Sequence, residues 1–234
     1  REIIGRVVDG SRFEEYKPLY GASMVCGWSM IHGYPVGILG NNGPIYPKSA
    51  EKAATFIQLC NKTNTPLIFL QNVTGFLVGK DFERQAIIKK GSQMINALSN
   101  STVPHITIII GSSYGAGTYA MSGRAYDNRF TFLWPTAKIA VMGPKQIAGV
   151  MSIVRRAQAL RKGEKFDEKA DKAIVEMVEQ AAEQMSLALV ASSMLTDDGI
   201  IDPRDTRTVL GLCLSLVNNK TVSYTHLRAH ETPR

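Results

Sequence analysis

The residues able to do chemistry in this sequence cluster where two apolar runs stop. His105 to Ile110 is a continuous hydrophobic stretch that passes at once into Gly111-Ser112-Ser113-Tyr114-Gly115-Ala116-Gly117, followed by Thr118-Tyr119-Ala120-Met121. Consecutive Gly, Ala and Gly let a ligand atom approach the main chain, and successive amides at a helix start point their N–H groups outward with a favourable dipole. Such a pair of donors is an oxyanion hole, a device that stabilises negative charge developing on an oxygen. Small residues at a strand-to-helix turn also serve plain packing, so the turn alone leaves both readings open. A second turn, Asn72-Val73-Thr74-Gly75-Phe76, follows the buried run Leu67 to Leu70. If both runs are parallel strands, the two turns share the carboxyl edge of a sheet, where ligands of open α/β sheets gather.

Side chains suited to acid, base or nucleophilic work are scarce. His32 lies in a turn, His105 opens a strand after Pro104, and His226 and His230 fall near the end; none accompanies a Ser or Cys nucleophile motif. Asp197, Asp198 and Asp202, in DDGIIDPRD, read as a turn and a helix cap. Cys26, Cys60 and Cys213 sit in apolar surroundings without CxxC or His spacing, so buried free thiols are expected and no metal site. GxGxxG and the Walker pattern are absent, which argues against a dinucleotide or P-loop fold. Main-chain donors without a protein base suit a reaction in which the enzyme stabilises an enolate-like oxygen while substrate or cofactor handles the proton.

The elements that must hold these turns are legible from periodicity. Glu2 to Phe13 reads as a short amphipathic helix, and Met24–Ile31 and Tyr34–Gly40 as strands joined by the tight turn His32-Gly33. Ser49–Asn61 carries Ala53, Phe56, Ile57 and Cys60 at helical spacing. Leu67–Leu70 and His105–Ile110 are strands covered on both faces, separated by a helix over Arg84–Ser99. A short helix over Thr118–Ser122, strands at Phe130–Trp134 and Ile139–Met142, and helices after Gly143-Pro144, over Glu168–Val190 and from Pro203 complete the chain. Repeated β-β-α units closing with helices are the expected organisation.

Composition narrows the class. At 234 residues and 44% hydrophobic, one sizeable core is expected in a single domain. The net charge of +7 comes from basic residues scattered singly and in pairs, without the cationic stripe or interleaved aromatics of a nucleic-acid surface. No apolar run reaches the roughly 18 to 20 residues a membrane span requires, and no secretory or transit segment opens the chain. The start, Arg1-Glu2-Ile3-Ile4, reads like the middle of a longer protein.

Six blocks, REIIGRVVDGSRFEEYKPLYG, GYPVGILGNNG, PLIFLQNVTGFLVG, GSSYGAGTYAMSGRAY, LWPTAKIAVMG and DDGIIDPRDTRTVLG, in this order, closely resemble the C-terminal domain of the carboxyltransferase β subunits of biotin-dependent acyl-CoA carboxylases. The resemblance implies an α/β crotonase-like (ClpP-like) fold of β-β-α units over residues 1–220, with 221–234 a non-family, disordered or artefactual tail. It implies transfer of carboxylate from carboxybiotin to an acyl-CoA. Gly115, Ala116 and Gly117 would form the catalytic turn. Biotin would be held by Val73, Thr74, Gly75 and Phe76 together with Ala116 and Gly117, and the acyl group would meet Thr118 and Tyr119. QNVTGF resembles the methylcrotonoyl-CoA and geranyl-CoA branch, making 3-methylcrotonoyl-CoA, an intermediate of leucine catabolism, the expected substrate.

The implied partners are a biotin carboxylase/biotin carboxyl carrier α subunit, which brings the biotin, and further β subunits in a homo-oligomer. The half lying N-terminal to these blocks in the family would supply most of the CoA site. The compartment would be the cytoplasm in a bacterium and the mitochondrial matrix in a eukaryote. Within the same superfamily, a carboxyl-CoA decarboxylase and an enoyl-CoA hydratase or isomerase are the alternatives, and a module that only binds a biotinylated carrier is the non-enzyme reading. Hydratases set Glu or Asp above the hole, and Gly111 to Arg124 contains neither.

Overall fold

A computed structural model describes the backbone of residues 1–229 and the side chains of residues 1–219. The chain opens on helix α1 (Glu2–Val7) and a two-residue edge strand β1 (Glu14–Glu15). The helix expected to reach Phe13 stops at Val7. Gly10 is left-handed (φ 57°), and the Asp9 carboxylate is drawn away to the amides of His32 (2.9 Å) and Gly33 (2.8 Å) and to the Arg207 guanidinium (2.7 Å). Strands β2 (Met24–Ile31) and β3 (Tyr34–Asn41) then form an antiparallel hairpin, in register from Ile31–Tyr34 to Met24–Asn41. His32 and Gly33 turn it with φ of 50° and 78°, the positive values a two-residue turn of matching twist requires.

From β3 onward the chain alternates strand and helix: α2 (Pro47–Lys62), β4 (Leu67–Val73), α3 (Lys80–Arg84), α4 (Ile87–Ser99), β5 (His105–Tyr114), α5 (Ala116–Ala120), β6 (Phe130–Leu133) and β7 (Lys138–Ala140). β3, β4, β5 and β6 pair in parallel in that order, with β1 and β2 at one edge, and β7 pairs with the distal end of β5. The helix expected over Arg84–Ser99 is divided, because Ala86 takes a left-handed conformation (φ 63°) between α3 and α4.

Alternation along β4 sends its side chains into two cores. Leu67, Phe69 and Val73 pack with Phe56, Ile57 and Cys60 of α2, Met94 and Leu98 of α4 and Ala120 of α5. Ile68 and Leu70 pack on the opposite side with Ile4 and Val7 of α1 and with Leu210, Leu214 and Val217 of the last helix, α9 (Thr206–Ala229), whose preceding helices are α6 (Pro144–Lys162), α7 (Glu168–Met185) and α8 (Ala188–Ser193). Full burial of each such side chain stabilises the fold by about 1.5–3 kcal/mol. The expected boundary at residue 220 and the tail 221–234 fall on residues whose side chains lie outside the described part.

Helices α6 and α7 pair with one another: the buried Asp171 carboxylate accepts from Ser152 Oγ (2.5 Å) and Arg155 Nε (2.9 Å). Val150, Met151, Ile153 and Val154 of α6 remain exposed. The helix expected over Glu168–Val190 is broken at Ser186, whose carbonyl is taken by the Ile139 amide (2.8 Å) beside β7.

Phe69 has no exposed surface and its ring meets the His105 ring edge-on at 5.4 Å. Phe69→Ala is expected to lower unfolding stability by about 3–5 kcal/mol in urea titration, since its cavity lies between a central strand and two helices and collapses poorly. A loss under about 1 kcal/mol would contradict this packing.

Candidate functional site

The two turns singled out in the sequence meet at the carboxyl edge of the sheet. β4 and β5 run in parallel register from Leu67–His105 to Gln71–Ile109, and then the register slips, so that Val73 pairs with Ser113. The slip is filled by Asn72, whose Oδ1 accepts from the Ser112 amide (2.9 Å). A Cβ on Gly111 would stand 2.5 Å from that same oxygen, so only glycine fits there. β5 therefore does not end at Ile110 as expected; beyond the slip it continues to Tyr114, with Ser112, Ser113 and Tyr114 paired to Lys138, Ile139 and Ala140 of β7. The loop after β3 braces the other turn. Asn72 Nδ2 donates to Asn42 Oδ1 (2.7 Å), the Gly43 amide to the Asn72 carbonyl (2.8 Å), and the Ile45 amide to the Gly75 carbonyl (2.9 Å).

Gly115 makes the bend into α5. Its φ of 54° with ψ of −137° is a conformation glycine adopts without strain, its amide donates to the Ala140 carbonyl (3.1 Å), and a Cβ would lie 2.9 Å from the Val141 carbonyl oxygen. Gly117 is pressed against the other turn: a Cβ there would fall 2.5 Å from Val73 Cγ2 and 3.1 Å from Gly75 Cα. α5 is closed by bonds from Thr118 to Gly115 and from Met121 to Gly117, each 3.1 Å, and among the described residues neither the Ala116 nor the Gly117 amide has a protein acceptor. Two adjacent main-chain donors are thus left, among the described residues, without internal partners, where α5 packs on Val73 and Gly75 of the other turn.

The sequence matches the Carboxyl transferase domain family over residues 1–232. The chain belongs to this family. It is 59% identical over 226 residues to the probable biotin-dependent acyl-coenzyme A carboxylase beta2 subunit of Mycobacterium tuberculosis, covering 96% of this chain and 43% of that protein. It is 48% identical to the mitochondrial methylcrotonoyl-CoA carboxylase beta chain of Arabidopsis thaliana, over 96% of this chain and 38% of the relative. The crystal structure of the beta subunit of Pseudomonas aeruginosa geranyl-CoA carboxylase superposes with a TM-score of 0.86 at 46% identity, covering 93% of this chain and 41% of that one. The fold is therefore the crotonase-like α/β fold of the carboxyltransferases, and the chain spans about two fifths of the length of these relatives.

In this carboxyltransferase domain the expected site residues divide by position. Ala116 and Tyr119 are exposed at the lip, with Tyr119 edge-on to Tyr126 at 6.2 Å; Thr74 is exposed, and Gly75 and Phe76 are half-buried. Val73, expected to touch biotin, has a fully buried side chain packed against Gly117. Thr118, expected to touch the acyl group, has its hydroxyl turned inward, 2.9 Å from Ser113 Oγ. Sequence reasoning missed Gln71, Ser113 and the brace in which Asn41 Oδ1 accepts from the Asn72 amide (3.2 Å) and Asn42 Oδ1 from Asn72 Nδ2. The available signal was a polar residue at a core-facing position of an otherwise apolar strand.

The remaining candidates are structural in the carboxyltransferase domain. Asp197 accepts from the Gly199 amide, Asp198 from the Thr131 amide and Arg124, and Asp202 caps the amide of Arg204. Burial pushes the Cys60 thiol up to about 12 and Cys213 up to about 11, and raises Cys26 further, so all three are inert. His105 is buried with Nε2 2.7 Å from Ser101 Oγ and Nδ1 3.2 Å from Ser122 Oγ, and that burial lowers its imidazole from 6.5 to about 4. Between pH 6.5 and about 4 the unfolded chain takes up a proton here and the folded chain does not. Stability is thus fully present above 6.5 and falls as pH drops across that window, by about 3 kcal/mol in all. Urea unfolding at about pH 7 and about pH 4.5 should show this slope reduced in His105→Gln, and equal slopes in the two proteins would refute it.

Proposed function

We propose that this chain forms the biotin-binding half of a carboxyltransferase site, moving a carboxyl group between biotin and an acyl-CoA. The observation that carries the reading is the pair of amides at Ala116 and Gly117 without a protein acceptor among the described residues, at the start of α5 beside the exposed Ala116, on a chain of the carboxyl transferase family. This arrangement fits a flat bicyclic urea presenting one oxygen. Bound biotin would supply the carboxyl group on a ureido nitrogen and, once that group has left, a basic nitrogen close to the acyl carbon. The chain's part is to hold and orient. The Ala116 and Gly117 amides donate to an oxygen that gains negative charge as the carboxyl departs, and Gly115 sets the bend that aims them. Thr74, Gly75 and Phe76 wall the opposite side of the ring. The absence of a carboxylate from Gly111 to Arg124 favours this over hydration or isomerisation, which need a protein acid or base beside the hole.

Tyr119, exposed on the same lip as Ala116, is the proposed specificity residue, and the likeness to methylcrotonoyl-CoA and geranyl-CoA carboxylases supports a branched, unsaturated acyl-CoA, 3-methylcrotonoyl-CoA first. The proposed partners are an α subunit carrying biotin carboxylase and biotin, a CoA-binding portion lying outside this region, and further β subunits. The exposed apolar Val150, Met151, Ile153 and Val154 of α6 support burial against such neighbours.

The test is biotin-dependent loss of the carboxyl group from a carboxylated acyl-CoA, with the remaining portion of the subunit supplied from a relative. Gly117→Val, whose side chain collides with Val73 and Gly75 and so displaces the start of α5, is expected to lower turnover by about 100-fold or more while circular dichroism still reports a folded domain. Turnover equal to the unsubstituted chain would overturn the reading.

A further inference from the structure

We propose that Gln71 is a positioning residue that fixes the direction of the oxyanion-hole amides, an inference that rests on the reading of Ala116 and Gly117 given above. Gln71 lies on β4 at the alternation of Leu67 and Phe69, facing the helices, and has no exposed surface. Its Nε2 donates to the Met121 carbonyl, immediately after α5, at 2.5 Å. Its Oε1 accepts from Ser113 Oγ at 2.7 Å, and Ser113 Oγ is 2.9 Å from Thr118 Oγ1 in the first turn of α5. One carboxamide therefore reaches the far end of α5 directly and its near end through Ser113.

α5 has five residues, too few to hold a helical conformation unaided, so its orientation comes from tertiary contacts. The contact of Gly117 with Val73 and Gly75 sets how close the helix comes to the strand end, but a van der Waals contact is tolerant of rotation. Directional bonds at both ends remove that freedom. A leucine or methionine would fill about the same volume but could make neither the bond to Met121 nor the bond to Ser113, so the amide contributes direction rather than volume. No charged group is among the hydrogen-bond partners of Gln71.

The test compares Gln71→Leu and Gln71→Glu with the unsubstituted chain in the same biotin-dependent assay, alongside hydrogen exchange of residues 114–123 in the chain without biotin. Gln71→Leu is expected to lower kcat about tenfold or more, with KM for the acyl-CoA changed less than about twofold, and to speed exchange in that segment but not in β4. Gln71→Glu keeps the acceptor for Ser113 but can donate to Met121 only when protonated, and burial raises the pKa of such a carboxyl. Its kcat should fall as pH rises between about 6 and 9, a limb the unsubstituted chain lacks, and this variant also carries the test if Gln71→Leu does not fold. A kcat for Gln71→Leu within about twofold of the unsubstituted chain, unchanged exchange over 114–123, or a Gln71→Glu profile that superposes on the unsubstituted one would overturn the proposal. Gly117→Val separates the two ideas: if it abolishes turnover while the Gln71 variants behave normally, only the positioning role fails; if it too is fully active, the assignment of the hole itself fails.

Discussion

Strands β4 and β5 lie next to one another, run parallel and are covered on both faces, and the rest of the structure follows from that arrangement. Parallel neighbours leave the sheet on the same edge, so the two turns that follow them must share a small space. Helices on the two sides fill the volume above and below, leaving the turns nowhere to diverge. The solution is to thin the backbone where the turns touch. Gly117 has no room for a Cβ against Val73 and Gly75, and Gly111 has none against Asn72. The close approach of α5 to the turn after β4 is what brings the Ala116 and Gly117 amides to that edge of the sheet.

A site built from main-chain donors depends on what is kept away from it. A nearby carboxylate would occupy the donors or repel the charge they are meant to stabilise. Two acids of the segment that packs beside β6 are already engaged, Asp198 with Arg124 and the Thr131 amide, Asp202 with Arg204. Beneath α5 the polar groups are neutral: Gln71, Ser113, Thr118 and, one strand position lower, Thr107 and Ser122, with Thr107 Oγ1 donating to the Ser122 carbonyl (2.7 Å). His105 joins this layer as an imidazole that burial keeps uncharged above pH of about 4. The field at the proposed hole would then come largely from fixed dipoles, which do not reorganise when charge appears.

Most of the elements were legible because burial on both faces writes itself as continuous apolar runs, and burial on one face as helical spacing. Leu67–Leu70, His105–Ile110 and Ser49–Asn61 are cases of this kind. What was not legible depended on single side chains replacing backbone bonds. The continuation of β5 past Gly111 needs the Asn72 carboxamide, the early end of α1 needs Asp9 to find His32 and Gly33, and the break after Met185 needs the Ile139 amide. Each partner is remote in sequence, and no local pattern signals it. For the same reason the small-residue turn was visible while its support was not. Glycines announce a close approach, whereas Gln71 and Ser113 look like ordinary polar residues until the strands align them.

The division of labour within α5 follows from helical geometry. Gly117, Ala120 and Met121 share one face at the spacing of three and four residues and are buried, while Ala116 and Tyr119 share the opposite face and are exposed. Thr118 lies between them, and its hydroxyl is committed to Ser113. A change at Thr118 would therefore disturb the support of the hole, whereas a change at Tyr119 alters only what lies beside it. Specificity at Tyr119, as proposed above, would let an acyl-facing surface vary without touching the bonds that hold α5.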